Sequence, residues 1–506
     1  MGVDIPTEML LHISKYIPDD YLKEMLAVNR VFYDLAMNLQ YGNTLIATRN
    51  VTTLNRLVRL QYPEVARRIR RLEIRLSLLK PKKGTERHTP ESPSSVHTIR
   101  QSFNDALRLL RPGTKSKPLP YSSKSRDPFT AVINDLSTAF PLMTNVQELL
   151  IDSWDLPPQY DLHPFLSSAW ASFGANLHTV SLCGNLEGYR VLIESNPPFA
   201  ALKHLRVEFT NNLFRVDLDA DRAILVETVA PFVCRLGPQL ESLRVWSWMV
   251  LDLSAFFLNI GGRFERLGWL NVRTAFNKSF REDAGGLKRV LCESSKTLER
   301  VDLRLNPSGS AVDPTSEGPL GGWLLECLED ERCLAHVRAL DVYPTNLPSG
   351  MDVLLMCVRR TREQLVELVV RDRYLHVEEI GELLEALRGC RGLTYLRLNV
   401  WRMNVGLFDV MAVKAPGLRR LWLSVGDAAS SDPSESLENF RNEIQTRRFT
   451  EWKIEDLTIW QGGAEIDGDT MKALARGIPS VNSFWGTGHT RIEPWVQEEQ
   501  KPRQKQ

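Results

Sequence analysis

The sequence has no apolar run near the roughly 18 residues needed to cross a bilayer. LLMCV, Leu354 to Val358, is the kind of short run a core helix supplies. Charge of one sign is also missing: 63 Lys and Arg against 62 Asp and Glu leave a formal +1. That balance argues against a chain built around nucleic acid or an anionic membrane. Paired cysteines are absent too. Seven lie between Cys183 and Cys390, an odd number with no CxxC pair, and read as reduced thiols in a cytoplasmic or nuclear protein. The opening MGVDIP has neither the basic nor the apolar segment of a signal peptide. Pro6 stands where a myristoylation motif on Gly2 would require Ser or Thr.

Catalytic signatures are missing as well. HExxH, GxxxxGK[ST] and CxxC…CxxC do not occur, which removes the usual support for zinc proteases, P-loop nucleotide enzymes and zinc fingers. His163, His178, His204 and His336 are separated by long intervals and read as ordinary surface or core histidines. The expectation is a protein with no catalytic residues, no cofactor and no metal. An enzyme would need a site assembled from scattered residues.

What is present is repetition. A chain of 506 residues, 43% hydrophobic and 25% charged, is too long for one ordinary compact core. An apolar-x-x-apolar-x-apolar template recurs at Ile69/Leu72/Ile74, Leu177/Val180/Leu182, Leu202/Leu205/Val207, Leu240/Leu243/Val245 and Leu267/Leu270/Val272. It continues at Leu298/Val301/Leu303, Val337/Leu340/Val342, Leu365/Leu368/Val370, Leu393/Leu396/Leu398, Leu418/Leu421/Leu423 and Ile454/Leu457/Ile459, with weaker copies near Val146–Ile151 and Val481/Phe484. Helical patterns lie between, over Arg222–Leu236, Leu320–Leu328, Met351–Arg360 and Val377–Leu387. Period-two strands alternating with helices predict an α/β fold of stacked strand–helix units. The pattern resembles leucine-rich repeats, with longer spacings and without their standard Asn. A doubly wound sheet is the rival; its phosphate-binding glycine fingerprint is absent.

The first forty residues differ. Met9, Leu10, Ile13, Tyr16 and Ile17 give one helix an apolar face after Pro6, a residue suited to opening a helix. Pro18-Asp19-Asp20 separates it from a second helix with Leu22, Met25 and Leu26, where Asp19 or Asp20 is the expected cap. Asn29 is the expected cap of a third, carrying Phe32, Leu35 and Ala36. Three such helices cannot hide all this apolar surface among themselves. The ordered features Ile5-Pro6, the helix after it, the Pro-Asp-Asp turn and Val28-Asn29-Arg30-Val31-Phe32 resemble an F-box. Asn29 departs from the small Ser or Cys common in that family. The combination with irregular repeats is similar to the large F-box families of fungi. The resemblance implies docking on a Skp-type adaptor and, through it, a cullin, by Ile5, Pro6, Leu10, Ile13, Ile17, Leu26, Val28 and Phe32. The alternative for these helices is a plain cap on the repeats.

The expected organisation is a three-helix F-box-like module over 1–48, a curved leucine-rich-repeat-like solenoid over 49–490, and a disordered tail over 491–506. Pro-, Ser- and Lys-rich sequence places a disordered basic insertion at about 77–127, with one short helix at Ser102–Leu110. Lys80-Pro81-Lys82-Lys83 reads as a solvated charge run, with nuclear localisation as the sharper alternative, and Thr89-Pro90 and Ser92-Pro93 match proline-directed phosphorylation sites.

Strand alternation sends Arg244, Trp246, Trp248, Trp269, Arg304, Tyr343, Trp401, Trp422 and Trp460 to the side away from the core, together with Asn271, Asp302, Asp341, Val369 and Arg397. In a solenoid this is the concave sheet surface. Trp, Tyr and Arg are the residues enriched in binding hot spots, so this side is the expected client-binding surface. The expected function is the substrate receptor of an SCF-type cullin–RING ubiquitin ligase, with an unidentified client protein and no nucleic-acid or membrane partner. The alternative is an interaction scaffold outside any ligase.

Overall fold

A computed structural model describes residues 5–48, 50–79, 128–157, 160–249, 251, 253–260, 264–274, 285–305, 317–342, 349–426, 437–461 and 464–484. The expected insertion lies outside these apart from its first few residues, as do Tyr343, the Ser102–Leu110 helix, both Pro-directed sites and the tail. The chain forms two compact units. The first runs to Leu202 and includes Asn212–Arg215; the second holds Lys203–Asn211 and the chain from Val216 onward.

The first unit opens with α1 (Thr7–Ser14), α2 (Asp19–Glu24), a 3-10 turn (Met25–Ala27) and α3 (Arg30–Tyr41). The Asn29 side chain accepts the Phe32 amide at 3.0 Å and so starts α3. The expected aspartate cap of α2 is displaced: Pro18 holds the cap position, and Asp19 and Asp20 form the first turn, where their charge suits the helix dipole. Strands β1 (Asn43–Ile46), β2 (Arg71–Arg75), β3 (Glu148–Asp152) and β4 (Thr179–Gly184) follow, each parallel to the next. Because β1 pairs with β2, the helical module ends at Tyr41 and the strand series begins inside the expected 1–48 boundary. The Leu76–Leu79 helix likewise occupies the first residues assigned to the insertion.

The second unit carries β5 (His204–Phe209), β6 (Ser242–Ser247), β7 (Trp269–Thr274), β8 (Arg300–Leu305) and β9 (Ala339–Val342). It continues with β10 (Glu367–Leu375), β11 (Tyr395–Val400), β12 (Arg420–Val425), β13 (Asp456–Gln461) and the short β14 (Ala464–Glu465). Neighbours are parallel from β5 to β13; β14 turns back antiparallel onto β13. Val481–Phe484, expected as a further strand, makes a single bridge, Asp456 to Ser483. Helices alternate with the strands, among them Glu317–Glu329, Gly350–Thr361, Val377–Leu387 and Val405–Lys414.

The repeat is written in the backbone. Just before most strands, one carbonyl accepts two successive amides from the next repeat. In the first unit the carbonyls of Gly42, Arg70 and Gln147 do this; in the second, those of Lys203, Glu241, Gly268, Glu299, Arg338, Val366, Thr394, Arg419 and Glu455. This satisfies strand-entry amides that would otherwise be buried unpaired. It also fixes the register, and with it the side each residue faces. Leu243, Val245, Leu270, Val272, Leu396 and Leu398 are all but fully buried on one side, and the core lies between that side and the apolar faces of the connecting helices.

Candidate functional site

Two surfaces stand out, one in each unit. The first belongs to the N-terminal helices. α1 and α2 both pack on α3, whose Phe32, Ala36, Met37 and Tyr41 are buried. Arg68 anchors α3 through its ion pair with Asp34 at 2.5 Å and a hydrogen bond to Asn38 at 2.9 Å. α1 is left largely unpartnered: Ser14 is its one buried residue, and its hydroxyl donates to the Leu11 carbonyl at 2.8 Å. Ile5 is 50% exposed and Val28 60%, and Met9, Leu11, Ile13, Tyr16 and Tyr21 are exposed with them.

Of the residues named for adaptor docking, Ile5, Pro6, Ile13 and Val28 are exposed, and Leu10, Ile17 and Leu26 are half-buried. Phe32 is the exception. At 4% exposure it is core of the module and offers nothing to a partner. It faces inward because the Asn29 cap sets the phase of α3, turning Phe32 to the same side as Ala36 one turn on. Met9, Leu11, Tyr16 and Tyr21 complete the exposed patch.

The second surface is the side of the second-unit strands away from the apolar core. Three rows cross it in register. The first runs His204, Ser242, Trp269, Arg300, Ala339, Glu367, Tyr395, Arg420, Asp456. The second, two residues further along, holds Arg206, Arg244, Asn271, Asp302, Asp341, Val369, Arg397, Trp422 and Thr458. The third includes Glu208, Trp246, Arg273 and Arg304 and, at its far end, Ser424 and Trp460.

These side chains interlock. Trp246 donates to Asn271 Oδ1 at 2.7 Å; Asn271 and Trp269 each donate to Asp302 Oδ2 at 2.8 Å. Asp341 lies between two arginines, Arg371 at 2.8 Å and Arg304 at 3.7 Å. Glu367 lies between two more, Arg300 and Arg420, each at 3.1 Å. Arg300 reaches across β9 because the residue there in register is Ala339. Arg420 crosses β11 over the Tyr395 ring, 4.9 Å from its centroid. Arg397 lies 4.3 Å from the centroid of Trp422, which stacks on Trp460 at 6.3 Å and 13°.

Packing of this density buries charge. Asp302 is 3% exposed and Asp341 1%. Burial outweighs the two arginines at Asp341 and pushes its carboxyl up to about 6. Burial, and then the neighbouring Arg206, lower Arg244 from the usual arginine value. Burial lifts the thiols of Cys327 and Cys357 to about 12 and of Cys390 to about 11, away from thiolate character. Among the described residues no group of three or more His, Cys, Asp or Glu is placed to hold a metal, and no helix is long and apolar enough to cross a membrane.

The residues named for client binding thus divide. Arg244, Trp246, Trp269, Arg304, Trp422 and Trp460 lie half-buried in the rows, and Trp248 and Trp401 are exposed. Trp248 lies under Arg273, 3.5 Å from ring centroid to guanidinium carbon, and donates to Glu208 at 2.5 Å. Tyr343 lies outside the described residues. Although Trp401 and Trp422 come from adjacent repeats and share a side, the register keeps them apart. Trp422 is in register with Arg397, which leaves Trp401 four positions, or ~13 Å, further along. Trp401 instead meets Tyr374 at 5.8 Å and His376 at 6.1 Å. A side chain at Gly426 would come within about 3.1 Å of the Tyr374 and Trp401 rings, so this cluster closes only over glycine. Arg206, Glu208, Arg300, Glu367, Tyr395 and Arg420 were missed. They share the parity of the named residues, and that parity is the signal that would have found them.

No family model matches the chain, and no curated protein matches it. Solved structures do. A crystal structure of the Rad7 and Elc1 complex in yeast matches at 16% identity over 60% of this chain and 76% of that one, with a TM-score of 0.34. A TLR13–ssRNA13 complex matches at 13% identity over 70% of this chain and 46% of that one, with a TM-score of 0.32. Both TM-scores are too low for either likeness to assign a function or a partner to this chain.

Proposed function

We propose that this chain is a non-catalytic receptor that docks on a Skp-type adaptor through α1, α2 and the turn at Val28, and holds a client protein on the second-unit strand face. The reading rests above all on the unpartnered apolar surface of α1. A plain cap would bury that surface against the repeats, whereas here α1 presents Met9, Leu11 and Ile13 outward, with Ile5 exposed just before it. The ordered Ile-Pro, Pro-Asp-Asp and Val-Asn-Arg features coincide with exposed positions, the half-buried cap Asn29 apart. Joining the adaptor to a cullin would bring client lysines close to a ubiquitin-charged enzyme, raising effective concentration without chemistry by this chain. A scaffold outside any ligase is the second reading, favoured by the packing of α3 on the start of the strand series, as a cap would pack.

Co-elution of the purified chain with a purified Skp-type adaptor separates the two. Removing a central apolar anchor typically costs about 2 kcal/mol or more, roughly thirtyfold in affinity. Ile5→Ala combined with Pro6→Ala, and independently Val28→Asp, should abolish co-elution while the melting temperature stays within a degree or two. Unchanged co-elution by both folded variants, or none by the parent chain, overturns the receptor reading and leaves the scaffold.

A further inference from the structure

The strand face holds its own carboxylates in a repeated way. Glu367 on β10 lies between Arg300 of β8 and Arg420 of β12. Asp341 on β9 lies between Arg304 of β8 and Arg371 of β10. In each case one acid is held by arginines from strands on either side.

At β5 and β6 the arginines are present and no acid stands between them. Arg206 and Arg244 stand in register on adjacent strands, and neither forms an ion pair with a carboxylate of the described residues. Like charges directly opposite on neighbouring strands are destabilising, and Arg244 feels Arg206 in this way. Its Nε is buried without a hydrogen-bond partner, while its guanidinium lies 3.9 Å from the Trp246 centroid. Glu208 is the one acid on this side of β5–β7 and accepts from the Trp248 indole, so it offsets the charge only in part. Three arginines, Arg206, Arg244 and Arg273, stand against it.

We propose that Arg206 and Arg244, with Trp246 beneath Arg244, form a receptor site for an acidic segment of a client protein, whose aspartate or glutamate side chain takes the place between them that no acid of this face fills. The commitment to a carboxylate follows from the face itself, which uses carboxylates for the same purpose twice within a few strands. The planar guanidinium accepts a carboxylate through two parallel hydrogen bonds, and the aromatic floor holds that plane in place. This proposal names the client chemistry of the receptor reading but does not depend on the adaptor.

The test is fluorescence polarisation of the full chain with a labelled oligo-glutamate peptide, with oligo-lysine, phosphoserine-containing and single-stranded DNA probes of matched length alongside. The glutamate peptide should bind saturably and the lysine peptide should not. Arg206→Gln with Arg244→Gln should weaken it tenfold or more, and Arg388→Gln with Arg419→Gln, equal in charge but off the site, less than twofold. Relief of the like-charge pair should leave the melting temperature of the site variant unchanged or slightly raised. Absence of saturable binding, equal loss in both variants, or tighter binding of the phosphopeptide or DNA overturns the proposal. Each single variant is read as well, so that a poorly folded double variant does not excuse the result. No adaptor is present, so failure here leaves adaptor docking standing, and loss of adaptor co-elution leaves this site standing.

Discussion

The N-terminal helices and the second-unit strand face handle solvent in opposite ways. In the helices, apolar side chains such as Ile5, Met9 and Val28 remain in water. On the strand face, charged groups such as Asp302 and Asp341 are taken out of it. The difference lies in what each backbone can bring alongside. A short helix such as α1 touches its neighbour along one stripe, and the rest of its surface has nothing to meet. Parallel strands ~4.8 Å apart place every outward side chain between two others, so long arginine and tryptophan side chains cover the shorter acids. Exposed apolar surface is free to bind and adds little to folding; buried charge contributes to the fold only while every partner is present.

Removal of a partner should therefore give the largest effect. Asp341→Ala leaves Arg304 and Arg371 facing an uncompensated site and should cost about 3–5 kcal/mol, read as a large fall in the denaturation midpoint. Ile13→Ser, in the helices, should change it by less than about 0.5 kcal/mol. Similar losses in the two variants would erase the contrast.

Acidity sharpens it next. Asp341 holds its proton up to about 6 when folded, against 3.8 for the ordinary carboxyl. Between those values the folded chain binds more protons than the unfolded one, so this group's contribution to stability falls as pH rises through the window. Asp341→Asn has no such dependence. The stability of the parent minus that of the variant should shrink by up to about 3 kcal/mol from about pH 4 to pH 6.5 and level off above. A difference that widens with pH would mean that Arg304 and Arg371 hold the carboxylate ionised more strongly than burial opposes it.

On the strand face the smallest expected effect is at Trp401, set against a tryptophan of the core. Trp452, buried at 2% exposure, should cost about 3–5 kcal/mol on conversion to alanine. Exposed Trp401, held mainly by Tyr374 and His376, should cost about 1 kcal/mol. Thermal melts of both variants measure the gap, and an equal loss would place Trp401 in the core.

The strand series was legible because period-two alternation survives irregular spacing: every copy from Ile69 to Ile459 marks a strand. β1 escaped because Asn43–Ile46 carries only two apolar residues and follows directly on α3. β14 escaped because two residues carry no period. Alternation gives the side on which Asp302, Asp341 and Val369 emerge. It gives no measure of cover, which depends on side chains arriving from other strands, such as Arg300 onto Glu367. The exposed face of α1 was legible as apolar surplus, while the inward turn of Phe32 depends on the phase that the Asn29 cap imposes.

The doubly accepting carbonyl before the strands of the parallel series from β1 to β3 and β5 to β13 has a further consequence. It joins neighbouring repeats by main-chain atoms alone, so it places no demand on the identity or number of the residues between one strand and the next. Arg70 and Gln147, on either side of the longest interval, are joined by the same pair of bonds as Gln147 and Thr179 with its neighbour His178. Closing a longer loop costs only about 0.6 kcal/mol for each doubling of its length. The architecture is therefore permissive to insertion: foreign segments, whole domains included, can be spliced between strands while the order of the rows is kept.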